Sequence, residues 1–274
     1  MTRTGSPTAL AAGSLVALAA LVAALWWREH RTDDRPLVVL AAPTVRLPLE
    51  LVAADYADRT GRRVELRFGA SEDILTKVRF PSAAEPADVF IPADDSYVRQ
   101  ARELELVAES VPLARVRAVL LLSRENRRGI ARWDDLLQDG VRVAVPNPGA
   151  AVGKLAREHL VRTGKWLELE RRVVDTGTVT EAANATKAGS VDAAVVWDVV
   201  AAGPAFRDQP ALRVPELEGV TGQIEVAVLR QSRDASAAGE FARYATDPDR
   251  GGARFRAAGF PIGANPAGPA GGSK

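Results

Sequence analysis

Four short segments rich in hydroxyl-bearing and small residues each connect an apolar run to a stretch with helical spacing. They are 42–44 (APT), 69–71 (GAS), 146–153 (PNPGAAVG) and 175–181 (DTGTVTE). The first N–H groups of a helix have no acceptor within the helix, and the helix dipole adds positive charge at this end. Each segment is therefore a candidate anion site. In the alternative interpretation, Thr44, Ser71 and Thr178 only cap the helices that follow them.

Residue types that carry catalysis or bind metal cations are scarce in the chain. His30 lies in a polar segment, and His159 lies on a predicted helix, where we expect a surface residue. The absence of cysteine excludes disulfides, thiolate metal sites and a cysteine nucleophile. Asp94-Asp95 and Asp134-Asp135 are adjacent pairs that predict solvated surface, and no nucleotide-binding or protease motif is present. We expect no enzyme, no cofactor and no metal-cation site.

The charge balance excludes a nucleic-acid partner. The 274 residues carry 36 Lys and Arg against 35 Asp and Glu, and the two signs are interspersed along the chain. No basic stripe is available to bind phosphate backbones. Hydrophobic residues make up 47% and charged residues 26%, which is typical of a soluble globular protein.

The N-terminal part of the chain has the pattern of a membrane helix. Ala9 to Trp27 contains no charge, and a helix of that length spans roughly 28 Å, close to the thickness of a bilayer core. A retained anchor and a cleaved signal peptide both fit this run. The basic residues that follow it, Arg28, Arg31 and Arg35, favour a cytoplasmic C-terminus by charge count. Residues 28–36 predict a polar linker.

The remaining pattern is that of an α/β protein. Apolar runs at 37–42, 64–68 and 87–91 predict strands, and helical spacing from 47 to 59 and from 72 onwards predicts helices between them. This βαβαβ order favours a doubly wound sheet. The pattern restarts with predicted strands at 118–122, 141–145, 193–197 and 225–229 and helices at 151–163, 179–189 and 237–246. The tail, 261–274, is rich in Gly, Pro and Ala and predicts disorder.

Several of these segments resemble periplasmic molybdate-binding proteins, the solute-binding proteins of ABC transporters. The segments are 41–78, 85–94 (EPADVFIPAD), 141–160, 186–197 and 255–260. The resemblance covers about residues 37–260 and implies a type II periplasmic-binding fold with two lobes joined by two hinge crossings. Lobe 1 would comprise 37–117 and 224–260, and lobe 2 would comprise 118–223. Residues 1–36 would form the signal peptide or membrane anchor with its linker.

The resemblance also implies a ligand site made of uncharged donors. The positions that match hydroxyl donors of the family are Thr44 and Ser71, and those that match backbone donors are Val152 and Val179. Trp197 stands where the family usually has a tyrosine, so only an indole N–H is available there. Pro43 removes a nearby N–H. The carboxylates of Glu72 and Asp73 either point outward at the start of the helix or face the cleft and repel an anion; the sequence favours the outward orientation.

The function implied is capture of molybdate, tungstate or a similar tetrahedral oxyanion for an ABC importer permease. Metal would then be bound only within the oxyanion. We expect a monomer that is periplasmic or otherwise extracytoplasmic, with possible anchoring to the inner membrane through the N-terminal helix. The alternative is a membrane-anchored sensing or interaction module that binds another small solute without a transport partner.

Overall fold

The structure is a computed structural model that describes residues 35–81 and 86–262. The predicted membrane segment, Ala9 to Trp27, and residues 263–274 of the predicted tail lie outside the described residues. Among the helices within the described ranges, none is long and apolar enough to cross a membrane.

The first part of the described residues contains three strands that alternate with helices, as the sequence predicts. The elements are β1 (Leu37–Ala41), α1 (Arg46–Thr60), β2 (Val64–Phe68), α2 (Ser71–Arg79), β3 (Val89–Ile91) and α3 (Asp95–Glu103). All five residues of β1 are buried, which is why this strand reads as a continuous apolar run. Helix α1 ends at Gly61, whose φ of 73° lies in the left-handed region that terminates many helices.

The second group of elements follows a long strand. The elements are β4 (Val107–Leu122), β5 (Val143–Pro146), α4 (Ala151–Arg162), α5 (Trp166–Leu169), β6 (Val173–Thr176), α6 (Val179–Lys187), β7 (Ala193–Trp197), α7 (Asp198–Ala201), β8 (Ala211–Leu212), β9 (Thr221–Leu229), α8 (Ala235–Thr246) and α9 (Gly251–Ala257). Short 3-10 turns occur at Pro43–Val45, Trp133–Leu137, Glu170–Arg172 and Pro215–Leu217. The predicted α/β architecture is confirmed.

One mixed sheet joins the strands in the order β2-β1-β3-β9-β4-β7-β5-β6, with β8 paired to β4. Strand β1 pairs in parallel with β2 and β3, and β5 pairs in parallel with β6 and β7. Between these two groups run the antiparallel strands β4 and β9. Strand β4 pairs with β9 as far as Arg117 and with β7 from Ala118 onwards.

This change of partner divides the sheet into two halves. The first half comprises residues 37–117 and 221–262, and the second half comprises residues 118–220. The division falls close to the lobe boundaries that the sequence predicts, although whether the halves move as separate lobes stays a prediction. At the C-terminal boundary, Ile262 forms a bridge with Ala114 and packs against the core, so residues 261 and 262 belong to the folded part rather than to the predicted tail.

Candidate functional site

The carboxyl ends of six parallel strands meet around one small cavity. In each half, three parallel strands end at the same edge, which is where open α/β sheets bind ligands. All five residues predicted from the sequence line this cavity. Its lining comprises Ala42, Pro43, Thr44, Ala70, Ser71, Ala93, Ala150, Ala151, Val152, Thr178, Val179 and Trp197. The structure therefore brings the predicted residues together; their binding of an anion stays a prediction.

The hydroxyls of Thr44 and Ser71 do not cap helices. Ala42 is the N-cap of the turn that contains Thr44, and Ala70 is the N-cap of α2, and neither makes a side-chain cap bond. Instead, the Ser71 Oγ accepts a hydrogen bond from the Ala93 N–H at 3.2 Å. Ser71 is 1% exposed and Thr44 8%. For these two residues the capping interpretation is wrong.

The start of α4 presents free backbone N–H groups to the cavity. The first intrahelical bond runs from the Lys154 N–H to the Ala150 carbonyl, so the N–H groups of Ala151 and Val152 have no acceptor within the helix. Gly153 allows this close packing, because a Cβ there would lie 2.0 Å from the Pro146 carbonyl oxygen at the end of β5. The absence of a side chain at 153 thus lets the helix start directly against its strand.

The start of α6 presents a second set of donors. The Thr178 Oγ1 accepts a hydrogen bond from the Glu181 N–H at 3.2 Å, and the Glu181 carboxylate accepts one from the Gly177 N–H at 2.7 Å. Capping is therefore the correct interpretation for Thr178. The Val179 N–H precedes the first intrahelical bond, which runs from Ala182 to Thr178, and has no acceptor within the helix.

Trp197 forms the wall at the end of β7. It is fully buried and lies opposite Ala118 of β4. Its ring edge also approaches β9, because a Cβ built on Gly222 would lie 3.3 Å from the Trp197 Cη2. The residue therefore contacts both antiparallel strands that run between the halves.

The cavity lining contains no acidic or basic side chain. Glu72 is half-buried and Asp73 exposed, and neither lines the cavity, in agreement with the outward orientation. Among the described residues, no group of three or more His, Asp or Glu side chains is arranged to hold a metal ion. The site thus offers dipolar donors and no formal charge.

Contacts between the two halves surround the cavity. The Glu72 N–H donates to the Gly149 carbonyl at 3.0 Å. Across the same boundary, the Tyr97 hydroxyl donates to the Pro148 carbonyl at 3.4 Å. The Lys154 ammonium lies 3.4 Å from the Ser96 Oγ and 4.8 Å from the centre of the Tyr97 ring.

Burial, together with the negative charges of nearby carboxylates, holds the pKa of the Tyr97 phenol well above its usual range. These bonds keep the two halves close together.

Asp94 corrects the expectation of a solvated acidic pair. It is 3% exposed, and its carboxylate accepts a hydrogen bond at 2.9 Å from the Ser96 N–H as the N-cap of α3. Burial raises the pKa of this carboxyl above its ordinary value of 3.8, although the bond from Ser96 acts in the opposite direction. Asp134, in contrast, is exposed as expected.

The cavity is narrow. Only about 10 Å³ is open to the centre of a water-sized sphere, which is close to what one ordered water needs. A guest larger than a water molecule, a tetrahedral oxyanion included, therefore enters only when the walls of the cavity move apart. Sequence reasoning missed Ala93, which follows β3 and binds Ser71. The rule that ligand-binding turns follow the carboxyl ends of parallel strands also applies to β3 and would have identified Ala93.

The fold and the cavity are those of a two-part α/β binding protein, with the candidate ligand cavity at the carboxyl ends of the parallel strands. A family model described as bacterial extracellular solute-binding protein matches residues 37–261. The chain belongs to this family, whose members are transport proteins rather than enzymes. The resemblance noted from the sequence is confirmed.

Relatives with known names agree with this assignment. The chain is 26% identical over 214 residues to the molybdate-binding protein ModA of Mycobacterium tuberculosis, covering 77% of this chain and 79% of the relative. Among solved structures, the periplasmic molybdate-binding protein of Azotobacter vinelandii has a TM-score of 0.70 at 20% identity, covering 83% of this chain and 100% of that one. The sulfate-binding protein SubI of Mycobacterium tuberculosis has a TM-score of 0.68 at 20% identity, covering 85% and 88%. At these identities the structural matches establish the type II periplasmic-binding fold and not the ligand.

Proposed function

We propose that this protein captures a doubly charged tetrahedral oxyanion, such as molybdate or tungstate, and delivers it to an ABC importer. The observation that carries the proposal is the convergence of Thr44, Ser71, Val152 and Val179 on one uncharged cavity. Each half of the structure contributes two of these four residues. The 26% identity to a molybdate-binding relative supports the choice of anion.

Dipolar donors suffice to hold such an ion. The N–H groups at the starts of α4 and α6 lie at the positive ends of their helices, where anions bind favourably. Hydrogen bonds to an ionised acceptor are stronger than those between neutral groups. Burial of the donors strengthens these bonds further, because the local dielectric constant is low. The donors would thus replace the hydration shell of the ion.

The hydrogen bonds around the cavity favour an anion that carries no proton. Ser71 and Thr178 each accept a hydrogen bond from a backbone N–H through the hydroxyl oxygen, which leaves each hydroxyl proton free to donate to a guest. No carboxylate lines the cavity, so the proton of hydrogen phosphate would have no side-chain carboxylate to accept it. Molybdate, tungstate and sulfate are pure acceptors at neutral pH. We therefore expect phosphate to bind more weakly than these three.

Isothermal titration of the protein with molybdate, tungstate, sulfate and phosphate tests the proposal. We expect binding of the first two with a stoichiometry of one and much weaker binding of phosphate. If none of the four anions produces heat or stabilises the fold, the oxyanion assignment is refuted.

We also propose that residues 9–27 direct the folded part outside the cytoplasm, either as a cleaved signal peptide or as a retained membrane anchor. Support comes from the uncharged length of this segment and from the extracytoplasmic family. The intact mass of protein extracted from the membrane fraction distinguishes the two cases. A protein found only in the cytoplasm would contradict both.

A further inference from the structure

Gly222 lies directly behind the candidate site. It belongs to β9, where it pairs with Val116 of β4, and it is buried. It does not line the cavity. A Cβ at this position would lie 2.9 Å from the carbonyl oxygen of Ala93, 3.2 Å from the Val116 Cγ2 and 3.3 Å from the Trp197 Cη2.

Two of these neighbours are themselves walls of the cavity. Ala93 and Trp197 both line it, and the Ala93 N–H donates to the Ser71 hydroxyl. Both residues therefore adjoin Gly222 as well as the space where a guest would bind. A methyl group on residue 222 would therefore push both walls away from β9 and towards the guest.

The close contacts leave little freedom to absorb such a change. The Ala93 oxygen is a backbone atom, and Trp197 is completely buried, so neither has a flexible end that can turn aside. Buried, well-packed positions respond to added volume by shifting neighbours rather than by local compression. The width of the cavity therefore depends on the absence of a side chain at Gly222.

We infer that Gly222 is a positioning residue that sets the width of the cavity and hence the size of anion accepted. This inference rests on the proposed function. Because metal–oxygen bonds are longer than sulfur–oxygen bonds, molybdate is larger than sulfate. A narrower cavity penalises molybdate more than sulfate, whereas a general loss of structure weakens both alike.

The test is Gly222→Ala, titrated with molybdate and, by displacement of molybdate, with sulfate. We expect molybdate affinity to fall by about tenfold or more, as overpacking of a buried site predicts, and sulfate affinity to fall less. The ratio of the two affinities is the decisive quantity. If the ratio of molybdate to sulfate affinity is unchanged, the inference is overturned, whether or not both affinities fall together.

Trp197→Phe provides a partial rescue variant, since its smaller ring relieves one of the two wall contacts of a methyl group at 222, whereas the contact with the Ala93 carbonyl remains. We expect Gly222→Ala to change the ratio of affinities less in the Trp197→Phe background than in the wild type, a non-additivity that reports the contact with Trp197. This pair also carries the test if Gly222→Ala alone does not fold. Equal effects in the two backgrounds contradict the inference.

Gly239→Ala is the matched control. Gly239 is also buried, but it lies on α8, and the atoms nearest to a Cβ there are the flexible ends of the Glu109 and Arg243 side chains. We expect unchanged affinities for both anions, and a change in their ratio would contradict the assignment to Gly222. If the wild-type protein binds neither anion, the proposed function fails, and that result is distinct from a failure of the inference about Gly222.

Discussion

At the scale of single residues, the two hydroxyls of the first half have different surroundings. Ser71 is fixed by a bond from the Ala93 N–H, whereas Thr44 lies on the short turn after β1. Both line the cavity, and neither caps a helix. The hydroxyl protons of both residues are thus available for recognition, although the Ser71 oxygen also serves local structure by accepting from Ala93.

Thr44 offers a test that keeps the shape of the side chain. Thr44→Val removes the hydroxyl and preserves the volume, so we expect molybdate affinity to fall by about 1–3 kcal/mol, as for a lost hydrogen bond to a charged group. Thr44→Ser keeps the hydroxyl and serves as the matched control, with affinity close to that of the wild type. Titration calorimetry measures both. Equal affinities for the Val and Ser variants would show that the Thr44 hydroxyl does not bind the anion.

Ser71→Ala deprives the Ala93 N–H of its acceptor and the anion of its donor. We expect a loss of affinity of about 1–3 kcal/mol together with a smaller loss of stability in urea. Ser190→Ala, which removes an exposed hydroxyl bonded to the Ala185 carbonyl, is the control for serine deletion in general. If Ser71→Ala loses stability and keeps its affinity, Ser71 has a purely structural role.

Local patterns were sufficient to predict the residues that line the cavity but not the contacts that support them. Thr44, Ser71 and the first turns of α4 and α6 follow apolar runs, so strand-to-helix chemistry and family resemblance both identify them. The bond from Ala93 to Ser71 joins residues 22 positions apart, and Gly222 acts through neighbours that are distant in sequence. Such positions become visible only when the strands are arranged in space.

At the scale of the elements, Asp94 holds the start of α3 at an energetic cost. Its raised pKa means that the folded state binds the proton more tightly than the unfolded chain does. The contribution of this carboxyl to stability is therefore largest below pH 3.8 and declines as the pH rises through the folded pKa.

Asp94→Asn retains an oxygen that caps the helix and cannot ionise. We expect the free energy of unfolding of this variant to rise relative to the wild type as the pH increases from below 3.8 to neutrality. Asp94→Ala loses the cap and is expected to be less stable by about 1 kcal/mol. Urea unfolding at both ends of the pH range measures these differences. A difference between Asn and wild type that does not vary with pH would contradict the raised pKa.

The elements predicted from sequence were those with a regular local pattern: a continuous apolar run, strict alternation or helical spacing. Strands β1, β2 and β7 and helices α1, α4 and α6 agree with their predicted bounds to within a few residues. The part of β4 before Ala118 escaped prediction because Pro112 and several charged residues interrupt its pattern and only some of its positions are buried. Strand β6 is four residues long and partly exposed, and α3 buries only Tyr97, Val98 and Ala101. Tertiary pairing, rather than local pattern, defines these elements.

At the scale of the whole molecule, the contacts between the halves stabilise the arrangement that encloses the cavity. Tyr97 keeps its proton well beyond neutral pH, since an ordinary tyrosine ionises only near pH 10 and burial raises its pKa further. Its hydroxyl therefore remains a donor to the Pro148 carbonyl at physiological pH. Lys154 contributes from the opposite half through Ser96 and the Tyr97 ring. We therefore expect the affinity for a small guest to depend on residues that do not touch it.

Lys154→Met keeps the length of the side chain and removes its charge. We expect anion affinity to fall by about 0.5–2 kcal/mol, from the lost cation–π and hydrogen-bond contacts, mainly through faster dissociation. Lys165→Met, at a half-buried residue paired with Glu168, controls for a general change in net charge. Stopped-flow measurements of release distinguish the two variants. Equal dissociation rates would show that the Lys154 contacts do not hold the halves together.

The hydrogen bond from the Glu72 N–H to the Gly149 carbonyl joins the first turn of a helix in one half to a turn in the other. In D2O this amide can take up deuterium only when that partner is withdrawn. The exchange rate of this one amide therefore reports the separation of the two halves. We expect a bound guest to slow the exchange, because it keeps the halves together.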